Sequence, residues 1–286
     1  MASTADRQLA IDSYGARLEH AYDSASRLRT RTEMVVGVVG ETHRFQVEGL
    51  PLAVDRQPGE RIQLPDVPNK TPRAELRLRI STGKVALSDE QLTNINLVGS
   101  KAPPYGRAIS RTADQDIAGA LHNWSDAAYT RPGLVEANME VSYTIASGIQ
   151  AEHIAEAVGK LKDEDVDDML TFAVPPVQFP KLASDTKLTS NDFIQGNDVT
   201  KTSNFGTIYG CEPVFMPRAA RAVGQGKIEA NTAYIFAKNA VGFAEGYRDM
   251  KIFDYAPELR AYIIGAEIMC GACRIQNAGI VKLVGS

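Results

Sequence analysis

The chain has 286 residues, 44% of them hydrophobic and 23% charged, with a formal net charge of −4 and three cysteines. That is the composition of a folded chain with one large core or two modest ones. It argues against a dedicated nucleic-acid binder, which would be basic, against a disulfide framework, and against a helical membrane span, since no apolar run nears about 20 residues. Asp6 and Asp12 stand where a signal peptide would need a basic end and an apolar stretch, so the expected compartment is a cytoplasm.

Taken in chain order, the first element is a helix from Leu9 to about Arg31. Ile11, Tyr14, Leu18, Ala21, Ala25 and Leu28 recur at three-four spacing and form one face, with Arg17, Glu19, Asp23 and Arg27 on the other. The stripe needs cover: either a foreign surface, which makes Ile11, Leu18, Ala25 and Leu28 an assembly interface, or the chain's own core. Gly37 to Arg73 follows, an irregular polar stretch with five of the 14 prolines, each of which removes a ladder donor. It ends in "AELRLRIST", where Leu76, Leu78 and Ile80 alternate with Glu75, Arg77, Arg79 and Ser81, a two-faced strand that Gly83 is expected to turn back towards "VALSD". A ribbon of this kind buries little of itself and implies docking on something else.

A second helix is expected after "KAPPYG", on Ile109, Ala113, Ile117, Ala120, Leu121 and Trp124. "LVEANMEVSYTIAS" alternates with Val135, Ala137, Met139, Val141, Tyr143 and Ile145 on one face, the pattern of a strand. A third helix is read over Gln150 to Lys162. Short strands with turns follow in "MLTFAVPP", "FGTIYGCEPVFM" and "TAYIFAKNAVGFA", and the last segment to "GIVKL" is rich in strand. Helices and strands mix without regular alternation, so the class is α+β.

The chemistry-bearing residues do not converge. Cys270 and Cys273 form a Cys-x-x-Cys pair, but the remaining cysteine, Cys211, and the four scattered histidines supply no further pair for zinc. A thiol oxidoreductase would want the pair opening a helix, and "RIQNAGIVKLVG" reads as strand; two small packed residues are the stronger reading. "VGQGKIE" lacks the first Gly and the Ser or Thr of a phosphate loop, and "VVGVVGETH" is short of a dinucleotide fingerprint. The acidic run "KDEDVDDM" lacks the spacing of a calcium loop and fits a solvated helix end. "NWS" is a glycosylation sequon with no use outside secretion, and no Gly-x-Ser-x-Gly elbow occurs. Catalytic residues, a cofactor and a metal are therefore not expected.

The order of parts resembles the major capsid protein of tailed double-stranded DNA phages, the fold first seen in a Hong Kong phage head. A helical arm and an extended hairpin precede a long helix, "YGRAISRTADQDIAGALHNW", similar to that family's spine helix. "MLTFAVPPVQFPKLASDTKLTSNDF" resembles a strand leading into Pro176 and a short helix. "FGTIYGCEPVFMP" is similar to a strand and Gly turn, and "TAYIFAKNAVGFA" to a strand leading into a small-residue helix. "ELRAYIIGAEIMCGACRIQNAGIVKL" is similar to the family's return strands.

The resemblance implies an arm (residues 1–34), a hairpin loop (35–88), the first part of a peripheral domain (89–148), an axial domain (149–239) and peripheral return strands (240–286). It implies a subunit that assembles with itself, as pentamers and hexamers, into an icosahedral shell around phage DNA, made in the host bacterial cytoplasm and carried in the virion. Arm and hairpin would lie on neighbours, so that Leu76, Leu78 and Ile80 join the arm residues as interface. Further partners implied are a portal, a decoration protein, packaged DNA held without sequence preference and, as the arm starts near Met1 with no room for a scaffolding domain, either a separate scaffolding protein or a chain already in its mature, processed form. The alternatives are an encapsulin-like compartment shell of the same fold and, from another class, a small thiol oxidoreductase on Cys270 and Cys273.

Overall fold

In the computed structural model, residues 4–47, 70–85, 95–128, 139–166, 168–189, 205–216, 231–256 and 261–286 are described. Two β-sheets with helices on them make up this part of the chain. The four-stranded sheet runs β1 (Glu33–Val36), β9 (Val241–Ala256), β10 (Ala261–Arg274), β4 (Arg77–Val85). The five-stranded sheet runs β5 (Glu140–Tyr143), β11 (Ile280–Gly285), β8 (Thr232–Ala237), β6 (Leu170–Val174), β7 (Cys211–Phe215).

Two helices cover one face of the four-stranded sheet. The first, α1 (Thr4–Ala25), ends short of the expected Arg31 and packs along α2 (Ile95–His122), with Tyr14, Leu18 and Tyr22, and Leu28 beyond its end, wholly buried against Ile109, Ala113 and Ile117. Burying each such side chain contributes about 1.5–3 kcal/mol. The helices touch at Gly106, where a Cβ would stand 2.7 Å from the Leu18 carbonyl oxygen and 2.9 Å from Ala21 Cβ. A side chain there would push the helices apart. The long helix begins earlier than its periodicity suggests, at Ile95, and continues through Pro103 and Pro104.

On the other face lies the base of the hairpin. β2 (Thr42–Arg44) pairs antiparallel with β3 (Arg73–Glu75), and Val47 bridges to Lys70. This ribbon carries Phe45, Val47, Ala74 and Leu76 onto Ala244 and Ile275 of the sheet, forming a second, smaller core. Gly242 makes room for it, because a Cβ would meet the Phe45 ring at 2.6 Å. The rest of the expected hairpin, residues 48–69 and 86–88, lies outside the described residues, as do Val135 and Ala137 of the expected strand.

The five-stranded sheet is more fully enclosed: every residue of β6 and β8 is buried. α3 (Ala151–Asp163) lays Ile154, Ala157, Val158 and Leu161 on it. A capping box, in which Gln150 and His153 serve each other's backbone N–H, opens this helix. Two short helices, α4 (Phe179–Ser184) and α5 (Thr186–Thr189), follow β6. Because β5 and β11 belong to this sheet, the division between the sheets falls inside the segments 89–148 and 240–286.

Two local readings change. Gly83 does not turn the chain: β4 runs straight through it, pairing Gly83 with Ile264, since a ladder partner on β10 keeps the backbone extended. "AKNAVGFA" is not a helix. A 3-10 turn at Lys238–Ala240 leads directly into β9, whose Phe243 and Glu245 must face α1 and α2 on every second residue.

Candidate assembly surface

The arm is fixed to its own subunit by two polar devices as well as by its stripe. Past the end of α1, Asp114 of α2 reaches into the turn. Its carboxylate accepts the backbone N–H of Leu28 (3.1 Å) and of Arg27 (3.2 Å) and the Ser26 hydroxyl (3.1 Å). Burial raises the Asp114 pKa while those backbone and hydroxyl donors oppose the rise. The group therefore works as a hook that stops α1 and turns the chain towards β1.

The second device is centred on Glu245, which is buried to 1% exposure on β9. Its carboxylate accepts the Tyr22 hydroxyl at 3.1 Å and faces the guanidiniums of Arg29 at 3.6 Å and Arg248 at 3.5 Å. Both guanidiniums also stand over the Tyr22 ring, at 4.5 and 4.9 Å from its centre. A lone buried carboxylate would be prohibitive; two cations and a phenol make it tolerable. Further along, Arg31 is paired with Glu212 of β7, which ties the segment after the arm to the five-stranded sheet.

The seven residues expected at an interface therefore separate. Leu18 and Leu28 are wholly buried within the chain, and Ile11 and Ala25 are half-buried beside them. The own-core reading describes this stripe in the subunit, and Leu18 and Leu28 have no surface left to offer a neighbour. Leu76 is also inside, under the hairpin base. Leu78 and Ile80 are not: they are 52% and 56% exposed. They share the outer face of β4, opposite the face on which Arg79 Nη2 meets Asp116 Oδ1 of α2 at 2.7 Å.

Around Leu78 and Ile80 the outer face stays open. Ile80 stands across the ladder from Glu267, and Glu267 from Asp249, while Tyr247 is 54% exposed. Among the described residues β4 has one strand partner, β10, and so ends the sheet. An edge strand with two solvent-facing aliphatics is the kind of surface that invites pairing with another chain.

The cysteines are packing residues. Cys270 lies in the main core beside Asp116, with Sγ 3.7 Å from Oδ2, and Cys273 packs with the second core on the opposite face of β10. Residues three apart in a strand point to opposite faces and stand about 10 Å apart, beyond disulfide reach. Burial raises the Cys270 thiol well above its ordinary value, with Asp116 adding to the shift, and pushes Cys273 and Cys211 up to about 12. A reactive thiol needs the opposite shift.

Among the described residues no group of His, Cys, Asp and Glu could hold a metal ion, and no helix is long and apolar enough to cross a membrane. Lys162 and Asp163 of the acidic run end α3 and, with Asp165 and Asp168, are exposed, while Val166 turns inward; "VGQGKIE" lies outside the described residues. Asp114 and Glu245 were not singled out from the sequence, although an acid inside the apolar run "VGFAEGY" is a usable signal of a buried ion pair.

A sequence profile described as "Phage capsid protein" matches residues 7–284. No curated protein matches the chain in sequence. Among solved structures, the capsid of cyanophage P-SCSP1u superposes with a TM-score of 0.64 at 14% identity, covering 90% of this chain and 86% of that one. The mature capsid of bacteriophage PhiM1 gives 0.62 at 12% identity, covering 91% and 87%. A virus-like particle from Pyrococcus furiosus gives 0.59 at 13% identity, covering 94% and 96%. At these identities the superpositions establish the fold, and the profile establishes the family. The chain belongs to the phage capsid protein family; it is a major capsid protein, structural rather than enzymatic, and a component of the virion.

Proposed function

We propose that this capsid protein closes the phage head through the outer face of its four-stranded sheet, where Leu78 and Ile80 take up a second copy. The observation that carries the reading is their exposure, 52% and 56%, on a sheet edge. A contact repeated at every subunit of a closed shell can be individually weak. The arrangement would be pentamers and hexamers in an icosahedral particle around double-stranded DNA, assembled in the host bacterial cytoplasm with a separate scaffolding protein, a portal and a decoration protein as partners. The four-stranded sheet with α1 and α2 would be the peripheral domain. The five-stranded sheet, including β5 and β11, would be the axial domain, and the hairpin would reach out from Val47 and Lys70.

The test is expression of the chain with its Leu78→Asp/Ile80→Asp variant. Each is expressed together with the phage's scaffolding protein, and the parent should then give closed shells by sedimentation and electron microscopy. The variant should keep its circular dichroism spectrum, change subunit stability by no more than about 0.5 kcal/mol, and give no shells. Closed shells from the variant would remove this face from the interface. The family profile favours the phage head over a compartment shell.

A further inference from the structure

A groove of about 620 Å³ runs between the hairpin base and the end of α2. It is lined on one side by Arg73, Glu75, Arg77 and Arg79, and on the other by Asp116, Trp124 and Arg274. Four guanidiniums against the carboxylates of Glu75 and Asp116 leave a surplus of two positive charges in a chain whose net charge is −4. The inner cations are held in place. Arg79 bonds Asp116, and Arg274 donates from Nη2 to the Leu121 carbonyl at 2.7 Å with its guanidinium 5.8 Å from the centre of the Trp124 ring. The outer ones are less committed: Arg73 is exposed, and Arg77 is 61% exposed, 3.4 Å from the still more exposed Glu75 and within electrostatic reach of Asp116.

The densest opposite charge in the sequence is Asp163 to Asp168, five acids in six residues. Its first residues close α3 in a turn. Val166 is buried as an anchor with its N–H on the Leu161 carbonyl, and Asp165 takes a left-handed φ of 56° that thrusts the turn outward. Asp163, Asp165 and Asp168 are exposed. The turn hangs from the five-stranded sheet and the groove from the four-stranded sheet, so the two are unlike patches on one chain. Unlike patches that fit each other make a head-to-tail contact, and such contacts close rings.

We propose that the arginine-lined groove receives the acidic end of α3, with Asp163, Asp165 and Asp168, of a second copy. This rests on the chain assembling with itself. Charge complementarity sets the register between neighbours more than it adds affinity, and each exposed pair is weak until the shell repeats it. A DNA duplex is the poorer occupant. It presents phosphates on a convex cylinder, whereas the groove is concave and half-neutralised by its own carboxylates.

The test reverses charge on each side and then on both. Arg77→Glu and Asp165→Arg, each exposed enough to spare the fold, should lower shell yield tenfold or more, and the double variant should recover most of it. A second, independent readout is an Arg77→Cys/Asp165→Cys variant, whose oxidised particles should run as covalent multiples of the chain while either single variant stays monomeric on a denaturing gel. Normal shells from both reversals, no recovery in the double variant, or no covalent multiples would overturn the proposal. So would reversals that close shells and lose only bound DNA. If the parent chain itself forms no shells, it is the assembly reading that fails, and the groove fails with it.

Discussion

Along the arm, Leu18 and Leu28 are closed off by α2, whereas along β4, Leu78 and Ile80 keep about half their surface in solvent. In sequence the two stretches look alike, each a one-sided apolar stripe backed by charges. The difference lies in what the neighbouring elements offer. The inner face of α2 presents Ile109, Ala113 and Ile117 with a glycine at the crossing, so it accepts a helix closely. β4 turns its arginines towards α2, where Asp116 waits, and so must turn its aliphatics outward. An amphipathic pattern states that a face needs cover, and the partner's chemistry decides whose.

The sharpest way to break this comparison is to place the same charge in both stripes. Leu18→Asp should destabilise the subunit by about 4 kcal/mol, because a carboxylate in that seam has neither water nor a cation. Leu78→Asp should cost the subunit almost nothing. Chemical denaturation of unassembled protein measures both. If Leu18→Asp leaves the subunit intact and only abolishes particles, the arm belongs to a neighbour and the seam opens on assembly.

A smaller effect sharpens the arm's side. Asp114→Ala removes the acceptor for two backbone N–H groups and a hydroxyl at the end of α1. Loss of such a cap costs about 2 kcal/mol. The expected signature is local: faster amide exchange at Arg27 and Leu28, with the α3 amides unchanged. Uniform loss of protection would mean that the hook supports the whole core rather than the arm.

How much of this was legible beforehand follows from range. The arm, the middle of the long helix, α3 and the strands β6, β7 and β8 are set by side-chain periodicity within a few residues, and the family follows from their order. The helix through Pro103 and Pro104 was not legible, because two prolines argue locally for a break and only packing of the long helix overrides them. Nor were the hook and the Glu245 cluster. Asp114 acts 86 residues away on Leu28, and Glu245 acts 223 residues away on Tyr22. For the candidate surface the alternation of Leu76, Leu78 and Ile80 was readable, but which of them the hairpin base would cover was not. The Cys-x-x-Cys pair resolves on geometry alone, since a strand sends its members to opposite cores. Replacing Cys270 and Cys273 by Ala should cost about 1–2 kcal/mol and leave assembly intact; loss of a thiol-exchange activity would contradict that.

The smallest expected effect concerns pH, and it separates the two faces of β4 again. On the inner face, burial raises the Asp116 pKa above its ordinary 3.8, with Arg79 and the Cys270 thiol opposing the rise. The folded state therefore holds the Asp116 proton more tightly than the unfolded chain does. Where the folded state binds more protons, stability falls as pH rises. The contribution of Asp116 is thus fully present below the ordinary aspartate range and is lost as pH climbs through the raised value. Asp116→Asn can still accept from Arg79 but has no proton to lose, so its stability should fall less steeply than the parent's just above pH 4. The measurement is denaturant unfolding of both proteins at closely spaced pH. The Leu78→Asp/Ile80→Asp variant, altered only on the solvent face, should follow the parent below pH 4, where its new carboxyls are protonated. A parent whose stability rises relative to Asp116→Asn over that range would mean that Arg79 outweighs burial, and that the inner face of β4 is held by its ion pair rather than by exclusion of water.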